Sequence, residues 1–81
     1  MSETIKLAHP VKVDGVEIDS ITIRRPIVKD LIIAARAKNT NEVDQASRLV
    51  SILSELSPKT IESLDVADFT KIDAKVESFF S

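Results

Sequence analysis

The residues able to do chemistry in this chain are few, and their spacing argues against catalysis. The single histidine, His9, stands two residues from Leu7 and from Val11 in an alternating apolar run. A general base needs a substrate proton within reach and a partner to orient it. On that strand face a packed, structural histidine is the expectation. Asp65, Asp68 and Asp73 do not follow the alternate-carboxylate pattern with a central glycine that a calcium loop requires. Asp65 reads instead as the cap of a helix, and Asp68 as an acid suited to the positive end of its dipole. The one glycine, Gly15, belongs to an Asp14-Gly15 turn, so no glycine-rich loop is left to cradle a phosphate. Cysteine is absent, which removes disulfides, thiolate metal sites and any mark of an oxidising compartment. No catalytic residue, metal site or cofactor is expected, and the chain reads as a non-enzyme.

The basic residues point to contacts. Arg24 and Arg25 precede a helix, where the macrodipole disfavours cations by about 0.3–1 kcal/mol each. An offsetting acid is needed, either Asp65 or Asp68 of the C-terminal half or an acidic partner. Residues 1 to 38 carry a net charge of +2 and residues 39 to 81 a net charge of −4, so the halves can attract each other or offer faces of opposite sign. Nucleic acid is disfavoured as a partner, because phosphate contacts need clustered Lys and Arg. The candidate recognition helix offers Arg48 amid Asp44 and Glu55, and three Phe without Trp or Tyr make no stacking platform.

The elements that must position these residues follow from periodicity. Ile5, Leu7, His9, Val11 and Val13 alternate, Asp14-Gly15 makes a two-residue hairpin turn, and Val16 and Ile18 continue the face. The apolar phase then slips to Ile21 and Ile23, which predicts a β-bulge at Asp19-Ser20 with His9 opposite Ile21 and Leu7 opposite Ile23. Pro10 belongs on an open edge or at the bulge. The hairpin spans about 4–24, and helices are expected over about 26–38, 41–56, 58–63 and 66–80, with Pro26 at the first helical position. Helix one is apolar nearly all round, with Ile33 between Lys29 and Asp30 on the far side from Ile27, Val28, Leu31, Ile32, Ala34 and Ala35. In helix two, Asp44 and Arg48 are spaced for an i,i+4 pair, and Ser47, Ser51 and Ser54 form a ridge suited to close helix approach. Phe69, Ile72, Val76, Phe79 and Phe80 share one arc of the last helix.

These 81 residues therefore describe one α+β domain: a hairpin, three main helices and a short helical turn before the last. A chain of this mass buries about 63% of its unfolded surface, a margin small enough to favour an oligomer or a partner. No run of about 18 apolar residues or signal-like N-terminus is present, so a membrane role is not expected and the cytoplasm is. The candidates for a partner surface are Ile33, Val76, Phe79, Phe80, Arg24 and Arg25.

The order Ile5-x-Leu7, Pro10, Gly15, Ile21-x-Ile23-Arg24-x-Pro26, Asp30-Leu31, Leu53 to Leu56, Ser57, Ile61, Leu64-Asp65 and Asp68 resembles the tail assembly chaperones of Mu-like and other contractile-tailed bacteriophages and prophages. The resemblance runs from Ile5 to Phe80. It departs at Ser54-Glu55, where the family often has Thr-Gly, and this predicts a displaced break after helix two. What the resemblance implies is a protein that binds the helical tape measure protein in the bacterial cytoplasm while the tail tube polymerises, then leaves before the virion is complete. It also implies a longer frameshifted product, with Phe79-Phe80 as slippery codons. The competing readings are a structural or adaptor subunit retained in the tail, and a small regulatory nucleic-acid binder.

Overall fold

The computed structural model describes residues 2–36 and 41–80. An antiparallel hairpin of β1 (Ser2–Val13) and β2 (Val16–Arg24) precedes four helices, α1 (Val28–Ala35), α2 (Glu42–Ser54), α3 (Pro58–Glu62) and α4 (Val66–Ser78). The class is α+β, as the pattern predicts. Asp14 and Gly15 both have positive φ, 52° and 80°, which a two-residue type I′ turn demands. Val13 accordingly pairs with Val16 and Val11 with Ile18.

Beyond Val11 the register differs from the expected one. Lys6 pairs with Ser20, so Leu7 to Pro10 of β1 bulge opposite Asp19 alone. The surplus residues lie on β1, and Ile21 pairs with Ile5 instead of His9, while Ile23 pairs with Glu3 instead of Leu7. Outside the bulge both registers put the same side chains inward, because they differ by an even number of residues and strand faces repeat every two. Tertiary hydrogen bonding decides between them. The bulge's Ala8 and His9 N–H groups donate to the two carboxylate oxygens of Asp68 in α4, each at 2.9 Å, and Pro10 has no N–H to satisfy. His9 is consequently exposed at the bulge, not packed.

One core joins the layers. Leu7, Ile21 and Ile23 of the hairpin meet Leu49, Val50 and Leu53 of α2, Ile61 and Leu64 around α3, and Ile72 and Val76 of α4. Asn41 caps α2 by accepting the Asp44 N–H at 2.8 Å, and Ser57 caps α3, with Pro58 in its first turn. Asp65 caps α4 by accepting the Ala67 N–H at 2.8 Å. The break after α2 is not displaced: Glu55 holds the left-handed C-cap position, φ 59° and ψ 27°, where glycine is the least strained residue. Two members of the serine ridge serve this cap. Ser51 donates to the Leu56 carbonyl, and Ser54 accepts the Leu56 N–H at 3.3 Å. The Asp44–Arg48 pair does not form; the ion pairs among the described residues are Arg24–Asp30, Lys59–Asp14, Lys71–Asp68 and Lys75–Glu3.

A candidate protein-docking surface

Helix α1 begins two residues later than its proline suggests. Asp30, in its first turn, accepts the Ile27 N–H at 2.9 Å and so starts the helix after Pro26. The same carboxylate receives both terminal nitrogens of Arg24, at 2.7 and 2.8 Å. This fork-to-fork pair ties the end of β2 to α1. The Arg24 hydrogen bonds, aided by the Ile27 N–H, hold the buried Asp30 carboxyl below its ordinary range against the opposing effect of burial. They also raise the Arg24 guanidinium. The acid that offsets Arg24 is thus its neighbour in sequence, not Asp65 or Asp68.

Asp68 already has other partners. Burial pushes its carboxyl up, but the Ala8 and His9 N–H groups and Lys71 at 3.3 Å outweigh burial and leave it lowered. Arg25 is exposed, and its guanidinium lies over the Phe79 ring, 5.7 Å from the centroid, within cation–π range.

With Asp30 and Ala34 its only buried residues, α1 turns a row of aliphatic side chains to solvent. Val28 is 72% exposed, Ile27 59%, Ile32 46% and Ile33 43%. The broad apolar face expected to pack inward is therefore largely outside. The reason is geometric: α1 has eight residues, ends at Ala35 instead of near Lys38, and reaches the core through Ala34 alone. Between α1 and α2 the sequence also sets a polar break, Asn39-Thr40-Asn41; Asn41 caps α2, and Asn39 and Thr40 lie outside the described residues.

The other candidates divide. Val76 is fully buried in the core, so it is no contact residue. Phe79 caps α4 and packs half-buried on the core, whereas Phe80, one residue past the cap, is 55% exposed. Phe80 contributes to a groove of about 440 Å³ between α1, α2 and α4. Leu31, Ala34, Ala35, Ala46 and Leu49 supply its apolar walls, and Glu42, Asp73 and Glu77 its acidic rim. Partial burial, and then Glu77, raise the Asp73 carboxyl. Ile33 does not reach this groove, since at 100° per residue it points from the opposite flank of α1 from Leu31 and Ala35.

A second groove, about 760 Å³, runs between α2, α3 and α4 beside Val43, Pro58, Leu64, Val66 and Phe69. Sequence reasoning missed it. The available signal was Val43 and Val66, apolar residues in the first turns of α2 and α4, where a polar residue is usual.

Among the described residues no group of three or more His, Asp or Glu is arranged to hold a metal ion. No helix of the described residues is long and apolar enough to cross a membrane. No curated protein and no solved structure matches the chain. A family model does: that of the phage tail assembly chaperone proteins E, 41 or 14, over residues 4–81. Matched along nearly its whole length, the chain belongs to this phage tail assembly chaperone family, and its role lies in tail assembly.

Proposed function

We propose that the protein is a non-enzymatic chaperone that binds apolar helical segments of the tape measure protein in the host cytoplasm and is released before the virion is complete. The observation that carries this reading is α1, a short helix whose aliphatic side chains face solvent beside a groove edged by Phe80. Exposed apolar surface of this kind on a small domain marks an interaction site. A partner helix laid across the solvent-facing side of α1 to the Phe80 edge of the groove buries its own apolar face at the same time. Ile33 and Phe80 are the contact residues proposed from the sequence, with Val28 and Ile32 added by their exposure. Arg25 contributes charge at the edge, and Arg24 and Phe79 act indirectly, by holding α1 and Arg25 in place.

Co-expression with the tape measure protein tests the proposal. The chaperone should co-purify with it and keep it soluble, and Ile33→Asp combined with Phe80→Asp should reduce capture at least about tenfold while the circular dichroism spectrum stays unchanged. Normal capture by that double variant would show the surface to be wrong. Recovery of the chain from purified virions would favour a retained structural or adaptor subunit instead.

A further inference from the structure

We propose that the occupant of the α1/α2/α4 groove in the free protein is helix α1 of a second copy, seated reciprocally to form a two-fold dimer. The chain carries both halves of this contact. On α1 and its C-cap, Lys29, Ile32 and Arg36 are spaced by three and four residues and form one stripe, on the side opposite buried Asp30 and Ala34. That stripe, with Val28 beside it, is an aliphatic ridge with a cation toward each end. Across α1 the groove presents the complement, an apolar floor with Glu42, Asp73 and Glu77 on its rim.

Among the described residues neither set is neutralised by an ion pair. The ion pairs among the described residues use none of Lys29, Arg36, Glu42, Asp73 or Glu77. Asp73 and Glu77, one turn apart on α4, repel each other, which is part of why the Asp73 carboxyl is raised. Cations from outside would relieve that repulsion. The described residues of the chain's own α1 do not supply them, because α1 forms a wall of the groove and its basic stripe points away. A second copy can, and two-fold symmetry makes the exchange mutual: the stripe of each molecule fills the groove of the other. Complementary charge fixes which way round the helices meet, and apolar contact excludes water between them.

This inference does not rest on the identity of the chaperone's client. It does place the self-contact on the client surface proposed above, so a tape measure helix would compete with the second copy. Self-association would then shield α1 until a client arrives.

The test is the molar mass of the free, full-length chain, by sedimentation equilibrium from low micromolar to near-millimolar concentration. The expected result is a rise from the 8.9 kDa monomer toward twice that mass. Ile32→Asp should abolish the rise. Asp73→Lys with Glu77→Lys, and separately Lys29→Glu with Arg36→Glu, should each weaken dimerisation at least about tenfold, and an equimolar mixture of the two should restore it as a heterodimer. All of these positions lie outside the core, so each variant is first checked, at a concentration where the wild type is monomeric, for an unchanged circular dichroism spectrum and thermal transition. A mass that stays monomeric throughout overturns the proposal. So does a dimer indifferent to Ile32→Asp, or a charge-reversed mixture that fails to reassociate. A monomeric chain that still captures the tape measure protein sinks the dimer and spares the function, while a dimer that captures nothing does the reverse.

Discussion

Asp30 and Asp68 hold segments together that apolar packing alone would leave loose, and both do so as anions. Each carboxyl is lowered from its ordinary value of 3.8. For an acid with a depressed folded pKa, the stabilisation is complete above the unfolded value and disappears as pH falls through the folded one. Stability should therefore be flat from neutrality to about pH 5, then fall below about pH 4, measured as urea midpoints across that range. Asp68→Asn should lower the neutral midpoint and flatten the acid limb, since an amide keeps one acceptor for the bulge N–H groups but carries no charge to lose. Glu55 is the reverse case, a residue whose type opposes its conformation. A left-handed backbone strains a side chain that has a Cβ by about 1–2 kcal/mol. Glu55→Gly should raise stability by about 1 kcal/mol in the same urea experiment, after part of that relief is lost to the greater freedom of glycine in the unfolded chain.

At the scale of elements, α1 and α2 are both rich in aliphatic residues and are used in opposite ways. Helix α2 packs against β2 and buries Leu49, Val50 and Leu53, so Leu53→Ala should cost about 2–5 kcal/mol. Helix α1 is fastened chiefly by polar contacts at its first turn and by Ala34. Ile32→Asp should accordingly change the stability of the monomer by no more than about 0.5 kcal/mol, and thermal melts of the two variants at low micromolar concentration check the contrast. Asp30→Ala should cost about 2 kcal/mol by releasing Arg24 and the Ile27 N–H together. Helical periodicity could not separate these roles, because it reports which residues share a face and not whether anything covers it. The bulge shows the same blindness in the hairpin. Alternation located a slip in phase but placed it on β2, since registers four residues apart bury the same side chains outside the bulge itself.

For the whole molecule, a small core and a large apolar remainder belong together. An 81-residue chain has too little surface inside its fold to hide every aliphatic residue it carries, and the excess collects on α1, on Phe80 and along the second groove. A protein built to bind helices during tail assembly can use that excess. The chain alone determined its α+β class, its Asp14-Gly15 turn, its Ser57 and Asp65 caps and its family, because these depend on local backbone preference and on the order of landmarks along one strand of sequence. Tertiary structure decided the rest. Asp68 selected the strand register by offering two acceptors to the bulge. Asp30 claimed Arg24 by being close when α1 turned, and Val76 was taken inward while Phe80, four residues on and past the end of α4, was left outside. The reason is common to all three. Pairing and burial are set by which elements meet in space, and the small margin of apolar burial noted from the length alone is expressed as one short helix that the fold does not cover.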